Sequence, residues 1–140
     1  MKILELLTPK RLLGNQGERA AARYLFRHGY RILKRNFVWG DGEIDLIAKK
    51  GDTIVFVEVK SRTIGKGASF ESRPAAAVTP EKQRKLLRVA SCFAPAREEG
   101  IRNRFDIIEV YFSQKGNHKI EQIKHLPNAF NRNTAQRTSR

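Results

Sequence analysis

The chain has 140 residues, 40% hydrophobic and 30% charged, which suits one soluble globular domain rather than a disordered chain. Lys and Arg number 28 against 14 acids, a formal net charge of +14, which favours a polyanion held with salt-sensitive affinity, solubility of a merely basic protein being the plain alternative. No apolar run approaches the ~20 residues of a membrane span. The start, Met1-Lys2-Ile3-Leu4-Glu5-Leu6-Leu7, lacks the apolar region and cleavage site of a secretory signal, and a lone cysteine, Cys92, excludes an internal disulfide. The expected location is the cytoplasm.

Residues Arg11 to His28 read as a helix, with Leu13, Gly17, Ala21, Ala22, Leu25 and Phe26 on one stripe and Gly29 as its C-cap. Tyr30 to Phe37, Glu43 to Lys49 and Thr53 to Lys60 follow as three strands. Ser61 to Val78, rich in Gly and Ser, reads as a long loop. Thr79-Pro80-Glu81 then opens a second helix by N-cap, first-position proline and first-turn acid, and Pro95 closes it. Phe105 to Phe112 is a fourth strand and Ile120 to Leu126 a short fifth. The expected architecture is one α/β domain over residues 1–127, with residues 128–140 as a disordered basic tail. Its order, α-β-β-β-α-β plus a last strand, fits an antiparallel meander followed by a helical crossover to a parallel fourth strand.

Within these strands the acids are out of place. Asp45 sits in Gly42-Glu43-Ile44-Asp45-Leu46-Ile47-Ala48, and Glu58 and Lys60 end the very apolar Ile54-Val55-Phe56-Val57-Glu58-Val59-Lys60. Buried charges need a compensating partner. Alternation places Glu43, Asp45 and Ile47 on one face of their strand, and Phe56, Glu58 and Lys60 on one face of the next. A two-residue Gly51-Asp52 turn of type II′ pairs Lys50 with Thr53, which sets Asp45 opposite Glu58 and Glu43 opposite Lys60. Opposed carboxylates call for a cation or a shared proton. The donor set, with the Val59 carbonyl as a further ligand, suits Mg²⁺, with Mn²⁺ as a substitute. Lys60 then stands beside the metal-bound water or scissile phosphate. Read singly, each residue also has a plain structural role: Glu58 and Lys60 at a frayed strand end, Asp45 in an arginine ion pair.

Other candidates are looser. Glu18 borders the stripe of the first helix and either reaches toward the metal or closes an Asn15-Gln16-Gly17-Glu18 capping box. Lys82, Gln83 and Arg84 at the start of the second helix, with Arg62 and Lys66 before it, are candidate phosphate contacts or solvated surface. Arg104 and Asp106 suggest an internal ion pair, Cys92 a core position, and Trp39 either packing or stacking on a base.

Asp45, Glu58-Val59-Lys60 and a helical acid at Glu18 resemble the PD-(D/E)xK nuclease signature, with Ile44 where the proline of that name would stand. The element order resembles its restriction-endonuclease-like core, Holliday-junction resolvases included. More closely, Gly17-Glu18, Ala21-Ala22, Tyr24-Leu25, Gly42 to Ile47, Val57 to Lys60 with Arg62, Val78, Lys82, Arg104 to Asp106 and Asn128-Ala129-Phe130 resemble the bacterial YraN family, whose members are largely uncharacterised. The superfamily resemblance implies that Asp45 and Glu58 hold Mg²⁺, that Lys60 assists the water and that Glu18 supports the site. The expected function is a Mg²⁺-dependent DNA endonuclease acting on branched or repair intermediates, with RNA open as a substrate and a homodimer called for where a junction is cut twice. The alternatives are a non-catalytic nucleic-acid-binding module of the same fold and, less favoured, a basic protein–protein adaptor.

Overall fold

Three consecutive alanines decide how closely the first helix approaches the sheet. Ala20, Ala21 and Ala22, with Leu25, lie on Leu46, Ala48, Val55, Val57, Ile108, Val110 and Phe112, and all of these are buried. The computed structural model describes residues 9–64, 78–114 and 119–135. Within them run α1 (Pro9–Arg27), β1 (Arg31–Trp39), β2 (Gly42–Lys50), β3 (Thr53–Thr63), α2 (Pro80–Ser91), a 3₁₀ turn (Ala94–Arg97), β4 (Arg102–Phe112), β5 (Ile120–Phe130) and a short α3 (Arg132–Ala135). Among the described residues the strands form one mixed sheet in the order β1-β2-β3-β4-β5. Only β3 and β4 are parallel, joined through α2. No helix among the described residues is long and apolar enough to cross a membrane.

Local chemistry explains the boundaries. Helix α1 closes in a Schellman motif: Gly29 has φ +87°, its N–H reaches the Phe26 carbonyl, and the Tyr30 N–H reaches Leu25 at 2.9 Å. Helix α2 begins as expected, with Thr79 accepting from the Lys82 N–H and Pro80 in its first turn. It ends at Ser91, before Pro95, with Cys92 as a half-buried C-cap rather than a core residue. The other face of the sheet is covered by α2, where Leu86, Val89 and Ala90 lie against Ile44, Ile47, Ile54, Phe56, Phe105, Ile107 and Phe130.

Two boundaries differ from the sequence reading. Strand β3 runs on to Thr63, paired with β4 as far as Phe112, so the segment read as loop starts later. The domain also extends past residue 127. Strand β5 reaches Phe130, which is buried against Phe105 with ring centroids 4.8 Å apart. Pro127-Asn128 looks like a strand end, but β5 is an edge strand, where a missing N–H and a φ of +52° at Asn128 are tolerated beside a shift in the β4 register. Residues 128–135 are therefore ordered parts of the domain, while 136–140 lie outside the described residues.

The tip between β1 and β2 packs on α2 through a glycine. A Cβ at Gly42 would collide with Cγ2 of Val89, a branched side chain with little rotamer freedom in a helix. Gly42→Ala is expected to destabilise the protein by about 1–3 kcal/mol, read as a lowered midpoint in urea unfolding at unchanged slope.

Candidate active site

Strands β2 and β3 pair from Lys50↔Thr53 to Leu46↔Val57, in the register that the Gly51-Asp52 turn dictates. Gly51 has φ +60° and Asp52 does not share the left-handed region, as a type II′ turn requires. Beyond Leu46 the ladder stops. Asp45 does not pair with Glu58 across the sheet; its Oδ2 accepts the Val59 backbone N–H at 2.8 Å. The carboxylate thus stands where the next strand-to-strand bond would have been.

The break has a counterpart in β1. Arg35↔Leu46 and Phe37↔Ile44 are partners, but Asn36 and Asp45 are skipped, and Asn36 has φ +51°. Alternation fails at the same place: Ile44 and Ile47 both join the cluster under α2, while Leu46 and Ala48 face α1. The expectation that Glu43, Asp45 and Ile47 share a face is thereby corrected. Glu43 does not oppose Lys60. The Asn36 amide, turned with its nitrogen toward the acids, donates to Glu43 Oε1 at 2.8 Å and to Glu18 Oε2 at 3.2 Å.

Glu18 lies in the interior of α1, nine residues after Pro9, so it closes no capping box there. Burial pushes its carboxyl up, Glu43 adds to that, and Arg35 opposes it. Asp45 carries the larger perturbation. Burial, then Glu58, raises it from 3.8 to about 8 against the pull of the Val59 N–H, and Glu18 and Glu43 add to the rise.

Glu58, 8% exposed, sits on the α2 side of β3 with cations around it. Its Oε1 accepts from Lys82 Nζ at 2.9 Å and lies 3.5 Å from Lys60 Nζ. Burial alone would lower the Lys82 ammonium, and the Glu58 carboxylate outweighs it to leave the net shift upward. Lys82 was a candidate for phosphate contact or solvated surface; its observed partner is Glu58, because the first turn of α2 lies over the end of β3. The structure therefore brings Asp45, Glu58, Lys60 and Lys82 together, with Glu18 and Glu43 alongside.

The remaining candidates separate. Gln83 is buried and donates to the Val78 carbonyl at 2.8 Å, which turns its amide inward and takes it out of the phosphate set. Arg62 forms a 2.6 Å ion pair with the buried Glu109, a carboxylate also reached by Tyr111, so it is a structural cation rather than an open clamp. Arg84 is on the exposed face of α2, and Lys66 lies outside the described residues. On the α1 face, Asp106 takes both guanidinium contacts of Arg104 at 2.8 Å, His125 Nε2 at 2.7 Å and the Asn128 N–H at 2.9 Å. The internal ion pair was legible from the sequence; His125 was not, because nothing local marks a contact across 19 residues.

As a metal centre the donor chemistry is oxygen only: the Asp45 and Glu58 carboxylates, beside the Val59 backbone. Such a set suits a hard divalent ion that keeps several waters. The surplus negative charge felt by Asp45 is what a cation would relieve. No three His, Cys, Asp or Glu side chains among the described residues converge to cage an ion.

An α-β-β-β-α-β order with a last strand, a mixed five-stranded sheet and helices on both faces define an α/β domain of the expected element order. The chain belongs to the uncharacterised protein family UPF0102, the YraN family, whose model matches residues 17–110. It is 46% identical over 119 residues to a UPF0102 protein of Geobacter metallireducens, covering 84% of this chain and 91% of that relative. It is 45% identical over 122 residues to one of Caldicellulosiruptor saccharolyticus, covering 86% and 98%. A solved structure, Pyrococcus furiosus SfsA in complex with Ca²⁺, is similar at 17% identity and a TM-score of 0.31, over 84% of this chain and 63% of that one.

The raised Asp45 has a sign that can be measured. The folded chain keeps a proton that the unfolded chain releases near 3.8, so metal-free stability falls as pH rises from about 4 to about 8. Asp45→Asn keeps an acceptor for the Val59 N–H and removes that titration. Its melting temperature is expected to exceed the wild-type value at pH 8 by several degrees and to converge with it near pH 4. Parallel pH profiles would contradict the assignment.

Proposed function

We propose that the chain is a Mg²⁺-dependent DNA endonuclease whose site is Asp45, Glu58 and Lys60, with Glu18 in support and DNA as the principal polyanion. The observation that carries this reading is the half-buried Asp45 carboxyl, held by the Val59 N–H beside Glu58 at the end of an interrupted strand pair, where burial and Glu58 push it up. Groups perturbed by burial and a specific neighbour concentrate at functional sites. The formal charge of +14 supports a polyanionic substrate.

Asp45, Glu58 and the Val59 carbonyl would hold the ion, with Mn²⁺ able to replace it. When bound, such an ion supplies an acidified water and neutralises phosphate charge. The residues themselves have separable tasks. The Val59 N–H fixes Asp45 in orientation. Lys60, 3.5 Å from Glu58, places a positive charge where a phosphate oxygen would gain negative charge. Lys82 holds Glu58 in position from α2. The lone cysteine continues to favour a reducing, cytoplasmic setting.

A second reading is favoured by one feature: Lys82 and Lys60 already compensate Glu58, as they would in a fold that binds nucleic acid without cutting it. That reading predicts salt-dependent binding, no metal requirement and no products. Incubation of duplex, single-stranded and four-way-junction DNA with the protein and Mg²⁺ or Mn²⁺ separates the two. Cleavage is expected, abolished by chelation and reduced roughly 100-fold or more by Asp45→Ala, Glu58→Ala or Lys60→Ala. Cleavage that survives Asp45→Ala and Glu58→Ala would sink the assignment.

A further inference from the structure

The tip of the β1–β2 hairpin exposes two large apolar side chains, Trp39 at 56% and Val38 at 59%, which as consecutive strand residues point to opposite faces of the sheet. Trp39 is the sole tryptophan of the chain. Trp39↔Gly42 is the last pair of the β1–β2 ladder, and more than half of the residue is open to solvent.

The tip is nevertheless held firmly. Gly42 sits against Val89, Asp41 forms a 3.3 Å ion pair with Lys85, and Gly40 makes the turn with φ +62°. Lys85 stands three residues after Lys82 in α2, about one helical turn from the side chain that holds Glu58. The exposed aromatic and the carboxylate cluster are thus tied to neighbouring turns of one helix. Two cations of α2, Lys85 and Arg88, lie beside Asp41 at this tip.

A flat aromatic face with cations at its rim is the chemistry that holds an unpaired base: stacking on the ring, with charge on the flanking phosphates. Bases inside a duplex present no face to such a ring. We propose that Trp39 is a stacking platform for an unpaired base, which makes single-stranded or branched nucleic acid the ligand class of this protein. The proposal rests on the nucleic-acid reading above and specifies its substrate.

Because Trp39 is the sole tryptophan, its emission reports the contact directly and without metal. The metal-free full chain is titrated with a labelled single-stranded oligothymidylate and with a blunt duplex, following tryptophan emission and label anisotropy together. The expected result is quenching that saturates in step with anisotropy for the single strand, and little quenching by the duplex. Trp39→Ala is expected to weaken single-strand binding roughly tenfold while changing duplex binding less than about twofold, and Trp39→Phe to restore most of the loss. Anisotropy that rises with no change in emission, or equal single-strand affinity for Trp39→Ala, overturns the platform. Emission that depends on protein concentration alone, with a matching shift to dimer in sedimentation, also overturns it and makes the tip a contact between copies. Quenching without cleavage in Mg²⁺ would instead remove the nuclease reading and leave the platform standing.

Discussion

The hydrogen bond from the Val59 N–H to Asp45 Oδ2 replaces the strand-to-strand bond that would have continued the β2–β3 ladder. Everything distinctive about this end of the sheet depends on it. With Asp45 in the ladder's place, β3 leaves β2 after Val57 and continues beside β4 alone, to Thr63. The parting leaves Glu58 and Lys60 on a half-open edge under the first turn of α2. In β1 the same irregularity appears as Asn36 in a left-handed conformation, which directs its amide to Glu18 and Glu43. One backbone interruption thereby gathers acids from α1, β2 and β3.

The two faces of the sheet show what compensation does to a buried carboxylate. Asp106 is fully buried, yet Arg104, His125 and a backbone N–H surround it, and its carboxyl is held below the ordinary value although burial alone would raise it. Asp45, half-buried, has one N–H and three acids as neighbours, with the Lys82 ammonium farther off, and it is raised. The first arrangement fastens β5 to β4 and leaves no charge unanswered. The second leaves negative charge that a proton or a cation must neutralise, and a merely structural site gains nothing from that. The contrast is the physical ground for proposing a site at Asp45 rather than at Asp106.

Much of this was legible in the sequence, for local reasons. Thr79-Pro80-Glu81, Gly29 and Gly51-Asp52 each encode a turn or a cap within a few residues, and each forms as its chemistry dictates. The mixed sheet followed from the order of strands and helices. What was not legible depends on long-range contacts. Period-two alternation carried Glu43 to Lys60, because no pattern announces that Asn36 will leave the β region opposite Asp45. Lys82 and Gln83 read as equivalent polar residues at a helix start, yet one meets Glu58 and the other is buried on Val78. Pro127-Asn128 was misjudged for the same reason, since the Phe105–Phe130 contact reaches into another strand, and nothing local marked His125 as the partner of Asp106.

The most direct test of the central claim is a crystal structure of the protein grown with Mn²⁺, with anomalous data collected at the manganese edge. The expected result is one ion touching both Asp45 and Glu58, with Lys82 Nζ drawn away from the Glu58 oxygen that it now contacts. An ion bound elsewhere, or none at saturating Mn²⁺ with the Lys82–Glu58 pair intact, would contradict a metal-dependent site at the end of β3.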